Sequence, residues 1–242
     1  MGAMGAGNFD DCPVRGGGDS DDLEVGMKCE YALSVANDLI ERLRPTCERI
    51  EVAGSIRRGK AEVKDIELVA IPDPTPPPMP KANFGEKPRA IHKTKLDALL
   101  FEMMLEGWMR PLKGGPKYKQ IALCPKGLVM PIKLDLFLVT PPAQWGVQMV
   151  IRTGPNKPNN NFSQWMVTQK CKGGALPDEY HVVDGCVRMI AQEDYFISMP
   201  EEIQFFNFCG LDWIEPKDRV ARWSPHPPSG TSPKYPEEHG NI

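Results

Sequence analysis

Hydrophobic residues in the first half of the chain follow helical spacing in some stretches and strand-like spacing in others. Over residues 27–44, apolar side chains recur every three to four positions, which predicts an amphipathic helix that Pro45 ends. Short apolar segments at 48–53 and 65–71 predict two strands, and a second helical apolar face is predicted over 93–106. This order indicates helices and strands packed around a small sheet.

The second half of the chain predicts a similar mixture. Over 130–139, Lys133, Asp135 and Phe137 alternate with leucines, which predicts a strand with two different faces. The other predicted elements are a short strand at 119–124, helices at 145–151 and 159–170, a hairpin at 176–190, and a helix to Phe208 that opens with a capping box at Ser198 and Glu201. The predicted fold class is therefore α+β.

A proline pair at positions 141 and 142 separates two predicted domains. The first, over 22–141, contains a small mixed sheet with two helices, and the second, over 142–223, is a smaller α+β unit. Residues 1–21 and 224–242 are rich in Gly, Asp, Pro or Ser, and we predict that they form disordered tails. Six prolines within 72–80 predict an extended surface loop.

Composition and charge narrow the class of protein. The chain has 242 residues, a net charge of −3 and no apolar run long enough to span a bilayer, so we expect a soluble protein without a membrane partner. Seven cysteines, an odd number without a Cys-x-x-Cys pair, predict free thiols and an intracellular, reducing compartment. A basic stretch over 110–133 could either follow a phosphate backbone or form a solvated face.

The segment 54–67 carries the most specific chemistry. It reads Gly-Ser-Ile-Arg-Arg-Gly-Lys-Ala-Glu-Val-Lys-Asp-Ile-Glu and continues into an apolar strand. A Gly-Ser turn followed by two arginines can hold a triphosphate. Asp65 and Glu67 are two residues apart, so on a strand both carboxylates point to the same face. Oxygen ligands of this kind suit Mg²⁺, with Mn²⁺ as the alternative ion.

Asp135 supplies a third carboxylate on a largely apolar strand, where a charge is costly unless a partner compensates it. If its strand lies beside that of Asp65 and Glu67, the three carboxylates form an anionic cleft that two Mg²⁺ ions can neutralise. Two-metal sites of this kind stabilise the attacking and leaving oxygens in phosphoryl transfer. We expect Lys133 to share a face with Asp135 and to orient it.

Segment 54–67 resembles the nucleotidyltransferase signature of the family X DNA polymerases, with the same spacing from Gly-Ser to the first metal-binding aspartate. Further stretches resemble the family in the same order: 113–118, 133–136, Thr153 with Gly154 and Asn159, and 201–219. The resemblance covers about 27–222 and implies a minimal form, a nucleotidyltransferase palm followed by a thumb. It implies a DNA-directed DNA polymerase that adds dNMP to a primer 3′-hydroxyl, with gap filling in DNA repair or replication as its setting. We expect no lyase activity, because only a short segment precedes the first helix.

The resemblance also implies roles for individual residues. The catalytic metal ligands would be Asp65, Glu67 and Asp135, although relatives usually have Asp at the position of Glu67. The residues that bind the nucleotide would be Gly54, Ser55, Arg58, Thr153, Gly154 and Asn159. The residues that contact DNA would be Lys113, Lys117, Lys119 and Lys133. The implied partners are dNTP and primer-template or gapped DNA, and the implied state is a monomer.

Departures from the family pattern give further expectations. Where relatives have Tyr-Phe before Thr-Gly, this chain has Ile151-Arg152, which predicts weaker discrimination against ribonucleotides. Ser163 stands near the position of a template-contacting arginine, which predicts lower fidelity. Relatives have a cis peptide bond after the glycine. Because a cis bond costs least before proline, we predict a cis Gly154–Pro155 bond.

Other functions remain open from the sequence. A template-independent terminal transferase uses the same chemistry, and the contacts to a template look depleted here. A nucleotidyltransferase acting on a protein, tRNA or small molecule is a second alternative, although it would not need the thumb-like segment at 142–222. An inactive DNA-binding module is a third, and the intact carboxylate set argues against it.

Overall fold

The computed structural model describes residues 26–77, 93–124 and 130–223, so the predicted tails and part of the proline-rich stretch lie outside the described residues. The strands are β1 Met27–Lys28, β2 Cys47–Val52, β3 Glu62–Val63, β4 Asp65–Pro72, β5 Met109–Gly114, β6 Tyr118–Leu123, β7 Ile132–Leu138, β8 Asn156–Lys157, β9 Asn160–Asn161, β10 Tyr180–Val183, β11 Cys186–Met189 and β12 Gln192–Ile197. The helices are α1 Cys29–Leu43, α2 Gly54–Arg57, α3 Lys95–Leu105, α4 Trp145–Thr153, α5 Phe162–Val167 and α6 Glu202–Phe208. The predicted α+β class is confirmed.

A five-stranded mixed sheet forms the centre of the first half, in the order β2-β4-β7-β6-β5. Strands β4 and β7 are parallel neighbours, and the other pairs are antiparallel. Alternation along these strands sends Ile66 and Leu68 of β4, with Leu134 and Leu136 of β7, to one face. That face packs against α1 and α3 in a single buried cluster. The predicted small sheet with two helices is therefore confirmed.

Helix α4 covers part of the opposite face of the sheet. Its Trp145 and Met149 bury themselves against Ala53, Val69 and Val139 in a second apolar cluster. Because Val69 lies on the same face as the preceding acidic residues of β4, the helix covers the sheet only beyond them. The acidic part of the face is left beside the turn that follows α4.

The second half has a core of its own. Helices α4, α5 and α6 pack around buried aromatic side chains, including Phe162, Phe205 and Phe206. A three-stranded antiparallel sheet, β10-β11-β12, completes this part. Among the described residues, no helix combines the length and the apolar character needed to cross a membrane.

Several local expectations differ from the structure. The helix predicted over 159–170 is shorter, because a small β8–β9 hairpin precedes α5, and β12 was not predicted. The capping box lies at Glu201 and Gln204 rather than at Ser198, because Pro200 is followed directly by the first helical turn. Five of the described cysteines form no disulfide, but Cys124 is disulfide-bonded, which corrects the expectation of a reduced thiol there.

Candidate active site

The three predicted metal ligands lie on one face of two neighbouring strands. In the parallel register of β4 and β7, Asp65 pairs with Lys133 and Glu67 pairs with Asp135. Paired residues of adjacent strands point to the same side of a sheet, so all four side chains share the face opposite the main core. Glu67 and Asp135 are direct lateral neighbours, as the two-strand prediction required.

Each carboxylate has a different partner. The Lys133 ammonium lies 3.1 Å from Asp65 Oδ2. Asp135 Oδ1 accepts hydrogen bonds from the Tyr118 hydroxyl at 2.6 Å and from the Gln120 amide at 3.0 Å. The expectation that Lys133 orients Asp135 is therefore corrected: Lys133 holds Asp65, and β6 orients Asp135.

Glu67 reaches under the Gly-Ser turn, and this approach explains the glycine. Gly54 has φ of +60°, a region that disfavours residues with a side chain, and a Cβ atom there would overlap the Glu67 carboxylate. The backbone N–H of Ser55 donates a hydrogen bond to Glu67. Glu67 therefore contacts the turn closely at Gly54 and accepts a hydrogen bond from its Ser55 N–H.

Burial and the neighbouring carboxylates change the pKa of Glu67 strongly. Burial raises the pKa of Glu67 from its ordinary 4.5 to about 7, and the negative charges of Asp65 and Asp135 add to the rise. The positive charge of Arg58 and the Ser55 N–H oppose it. A cation bound beside Glu67 would favour its charged form and lower its pKa again.

A cleft of about 710 Å³ opens beside this face. Its walls include Ser55, Arg58, Asp65 and Glu67 on one side and the turn after α4 on the other. Arg58 crosses the cleft and donates a hydrogen bond to the Thr153 carbonyl oxygen. Burial lowers the pKa of Arg58, while the charges of Glu67 and Asp65 oppose this shift.

Gly154 permits the close approach of the two walls. It has φ of +70°, and a Cβ atom there would lie 3.1 Å from an Arg58 guanidinium nitrogen. The peptide bond from Gly154 to Pro155 is cis, which confirms that prediction. Thr153 is fully buried beneath the turn, so its side chain is placed to support the turn rather than to reach a ligand.

Arg57, the other arginine of the motif, has a structural position. It donates hydrogen bonds to Thr153 Oγ1 at 2.7 Å and to Glu202 Oε2 at 2.6 Å. Glu202 also forms an ion pair of 2.8 Å with Arg219, and the Glu202 and Arg219 side chains are both buried. This Arg57–Glu202–Arg219 triad links α2 to α6 and to the C-terminal segment. No sequence pattern predicted this triad, because Arg57 and Glu202 are 145 residues apart.

Asn159 is exposed at the turn between β8 and β9, and it is not among the described residues that line the cleft. Asn156 and Lys157 of the same hairpin line the cleft instead. Sequence reasoning also missed Lys60 and Lys64, which line the cleft near the arginines. The basic composition of segment 54–67 was the signal that could have identified them.

The four lysines assigned to DNA have different environments. Lys113 is exposed on β5. The ammonium groups of Lys117 and Lys119 lie 2.7 Å from Asp184 and 2.8 Å from Asp97. Lys133 is only 8% exposed and is held against Asp65, so it is not placed to contact a DNA backbone, which corrects its predicted role.

The donor set suits a hard divalent cation, since three carboxylates share one face and the charge on Glu67 is poorly compensated. Within the described ranges, however, no three His, Cys, Asp or Glu side chains are grouped as a metal site. Asp65, Glu67 and Asp135 each interact with a different group of the protein instead. The chemistry of the residues fits Mg²⁺, and the ions remain a proposal.

The raised pKa of Glu67 predicts a pH effect on stability. The folded chain holds a proton on Glu67 that the unfolded chain loses above its ordinary pKa of 4.5, so stability should fall between about pH 4.5 and 7. In EDTA, the free energy of unfolding should fall less in Glu67→Gln than in the parent, by up to about 3 kcal/mol. Urea denaturation at pH 5 and pH 8 measures this difference. The exposed Glu102→Gln is the control. Equal pH dependence in the parent and Glu67→Gln would contradict the burial argument.

Comparisons with protein-family models and with curated protein sequences found no relative of this chain. The resemblance to family X polymerases therefore rests on its motifs, and the arrangement of the site must carry any proposal about function.

Proposed function

We propose that the chain is a DNA polymerase of the family X type, which transfers dNMP from a dNTP to a primer 3′-hydroxyl, with gap filling in DNA repair as its role. One observation carries the proposal. The parallel pairing of β4 and β7 puts Asp135 on the same sheet face as Asp65 and Glu67. Asp65 and Glu67 line a cleft together with Ser55 and Arg58. Carboxylates beside a guanidinium and a Gly-Ser turn suit a nucleoside triphosphate and its cations.

Different residues of the cleft would bind different parts of the substrate. Ser55 and Arg58 would bind the β- and γ-phosphates, and the Gly154 turn would lie under the sugar. Two Mg²⁺ ions held by Asp65, Glu67 and Asp135 would supply charge stabilisation at the attacking and leaving oxygens. Tyr118 and Gln120 fix the Asp135 carboxylate in one orientation by two hydrogen bonds to its Oδ1 atom. The bond to pyrophosphate breaks as the 3′-oxygen bonds to the α-phosphorus.

Untemplated addition is a second candidate, favoured by one contact. Ser163 stands near the position of the expected template-contacting residue, but its hydroxyl is buried and donates to the Ile151 carbonyl oxygen at 2.7 Å. Its side chain is therefore turned toward the protein. A terminal transferase requires no contact to a template at this position.

Primer extension distinguishes these functions. Labelled primer, with and without a template, is incubated with Mg²⁺ and each dNTP in turn. We expect addition to the primer, because the cleft combines a candidate triphosphate site with carboxylates, and a polymerase of the proposed type should add only nucleotides that match the template. Equal addition without a template would support the terminal transferase instead. No addition to any DNA would contradict both and would favour a substrate other than DNA.

A further inference from the structure

Arg152 occupies an unusual place at the end of α4. Its guanidinium lies 4.0 Å from the centroid of the Phe137 ring, and Phe137 stacks on Tyr118 with ring centroids 5.2 Å apart. Phe137 is two residues beyond Asp135 on the same face of β7, and Tyr118 donates to Asp135. The stack therefore holds the guanidinium beside β7, the strand that carries Asp135, and Arg152 itself lines the cleft.

In the part of the chain that the structure describes, the Arg152 guanidinium donates no hydrogen bond to the protein. Its Nε atom is buried without a partner. Burial lowers the pKa of Arg152, and the charges of Glu67, Tyr118 and Asp135 oppose this shift without a direct ion pair. A desolvated guanidinium without an acceptor is costly unless a ligand supplies one.

Arg57 has a structural role and provides a comparison for Arg152. Its two terminal nitrogens bond to Glu202 and Thr153, so its charge and donors are matched within the fold. Arg152 lies one residue before Thr153 and has no such match. Its guanidinium plane is held by stacking on Phe137, and its N–H donors are left for an acceptor that enters the cleft.

We propose that Arg152 binds a phosphate oxygen of the substrate within this cleft, beside β7. This assignment rests on the proposed function and adds a second guanidinium to that of Arg58. Guanidinium groups bind phosphate through paired N–H donors, and a planar group stacked on a ring is already oriented for this. The oxygen belongs either to the triphosphate of the dNTP or to the terminal phosphodiester of the primer.

The test compares the KM for dNTP and the Kd for primer-template in the parent, Arg152→Ala and Arg152→Lys. Arg152→Ala should raise one of these constants about tenfold, because a charge-assisted hydrogen bond is lost. A rise in KM places the oxygen on the triphosphate, and a rise in Kd places it on the primer. Arg152→Lys should recover only part of the loss, since lysine keeps the charge without the fork.

Arg44→Ala is the matched control, because Arg44 is exposed and is not among the described residues that line the cleft. It should change each constant less than about twofold. Values for Arg152→Ala within about twofold of the parent, with a native circular dichroism spectrum, would overturn the proposal. If the alanine variant does not fold, the test rests on Arg152→Lys. A rise of about threefold in the KM or in the Kd supports the assignment, and no rise in either constant overturns it.

A failure of the proposed function would give a different experimental result from a failure of the Arg152 assignment. If the parent adds no nucleotide to any primer, the polymerase proposal fails, and calorimetry with dATP and with the duplex then decides the role of Arg152. Binding by the parent that is about tenfold tighter than by Arg152→Ala supports the assignment. Equal binding, or none by the parent, overturns it.

Discussion

Asp135→Ala should lower templated primer extension about 1000-fold or more while the chain stays folded. Asp135 lies beside Glu67 on the neighbouring strand and is oriented by Tyr118 and Gln120. In a two-metal reaction, the loss of a carboxylate at the attacking oxygen removes several kcal/mol of transition-state stabilisation. The measurement is single-nucleotide incorporation under conditions in which the enzyme is in excess over the primer.

The exposed Asp194→Ala variant is the control for the loss of one aspartate, and it should retain the parent rate. Circular dichroism separates loss of chemistry from loss of fold. Half-buried Asp135 sits among hydrogen-bond donors, so the fold should tolerate its removal better than the reaction does. An Asp135→Ala variant that extends primers within tenfold of the parent would contradict the assignment.

Glu202→Ala should destabilise the fold by about 3–5 kcal/mol. Glu202 is the shared anion of Arg57 and Arg219, and its removal leaves two guanidinium groups without their counter-charge in a buried site. Breaking one partner of a buried ion pair is costly even where the intact pair adds little net stability. The free energy of unfolding from urea denaturation measures the effect.

The exposed Glu48→Ala variant should change the same free energy by less than about 0.5 kcal/mol. Because the triad also holds Arg57 against Thr153, Glu202→Ala should weaken nucleotide binding at temperatures where the variant is still folded. A loss of less than about 1 kcal/mol would show that solvent reaches the two arginines and would contradict the burial of this triad.

Local patterns in the sequence predicted much of the site. The alternation at Asp65 and Glu67, and again at Lys133 and Asp135, fixed which face each side chain occupies, because strand periodicity is a short-range property. The cis bond at Gly154–Pro155 was predicted from the family resemblance together with Pro155, since proline lowers the free-energy cost of this isomer. The α+β class followed from the order of helical and strand-like segments.

Long-range pairings could not be read from the sequence. Lys133 was expected to hold Asp135, but the parallel register places it against Asp65, and register depends on how two distant segments align. The Arg57–Glu202–Arg219 triad and the pairing of Lys119 with Asp97 arise in the same way. Charge alone does not show whether a lysine faces an acid of its own chain or a nucleic acid.

Counting bound Mn²⁺ by electron paramagnetic resonance tests the central claim most directly. The chain is saturated with dATP and a primer that lacks the 3′-hydroxyl, so that metals and nucleotide bind but no transfer occurs. We expect two ions for each parent chain, and at most one in Asp65→Asn and in Asp135→Asn, because each variant loses a charged ligand. A parent that binds no Mn²⁺, or variants that bind as many ions as the parent, would contradict the proposed role of the three carboxylates.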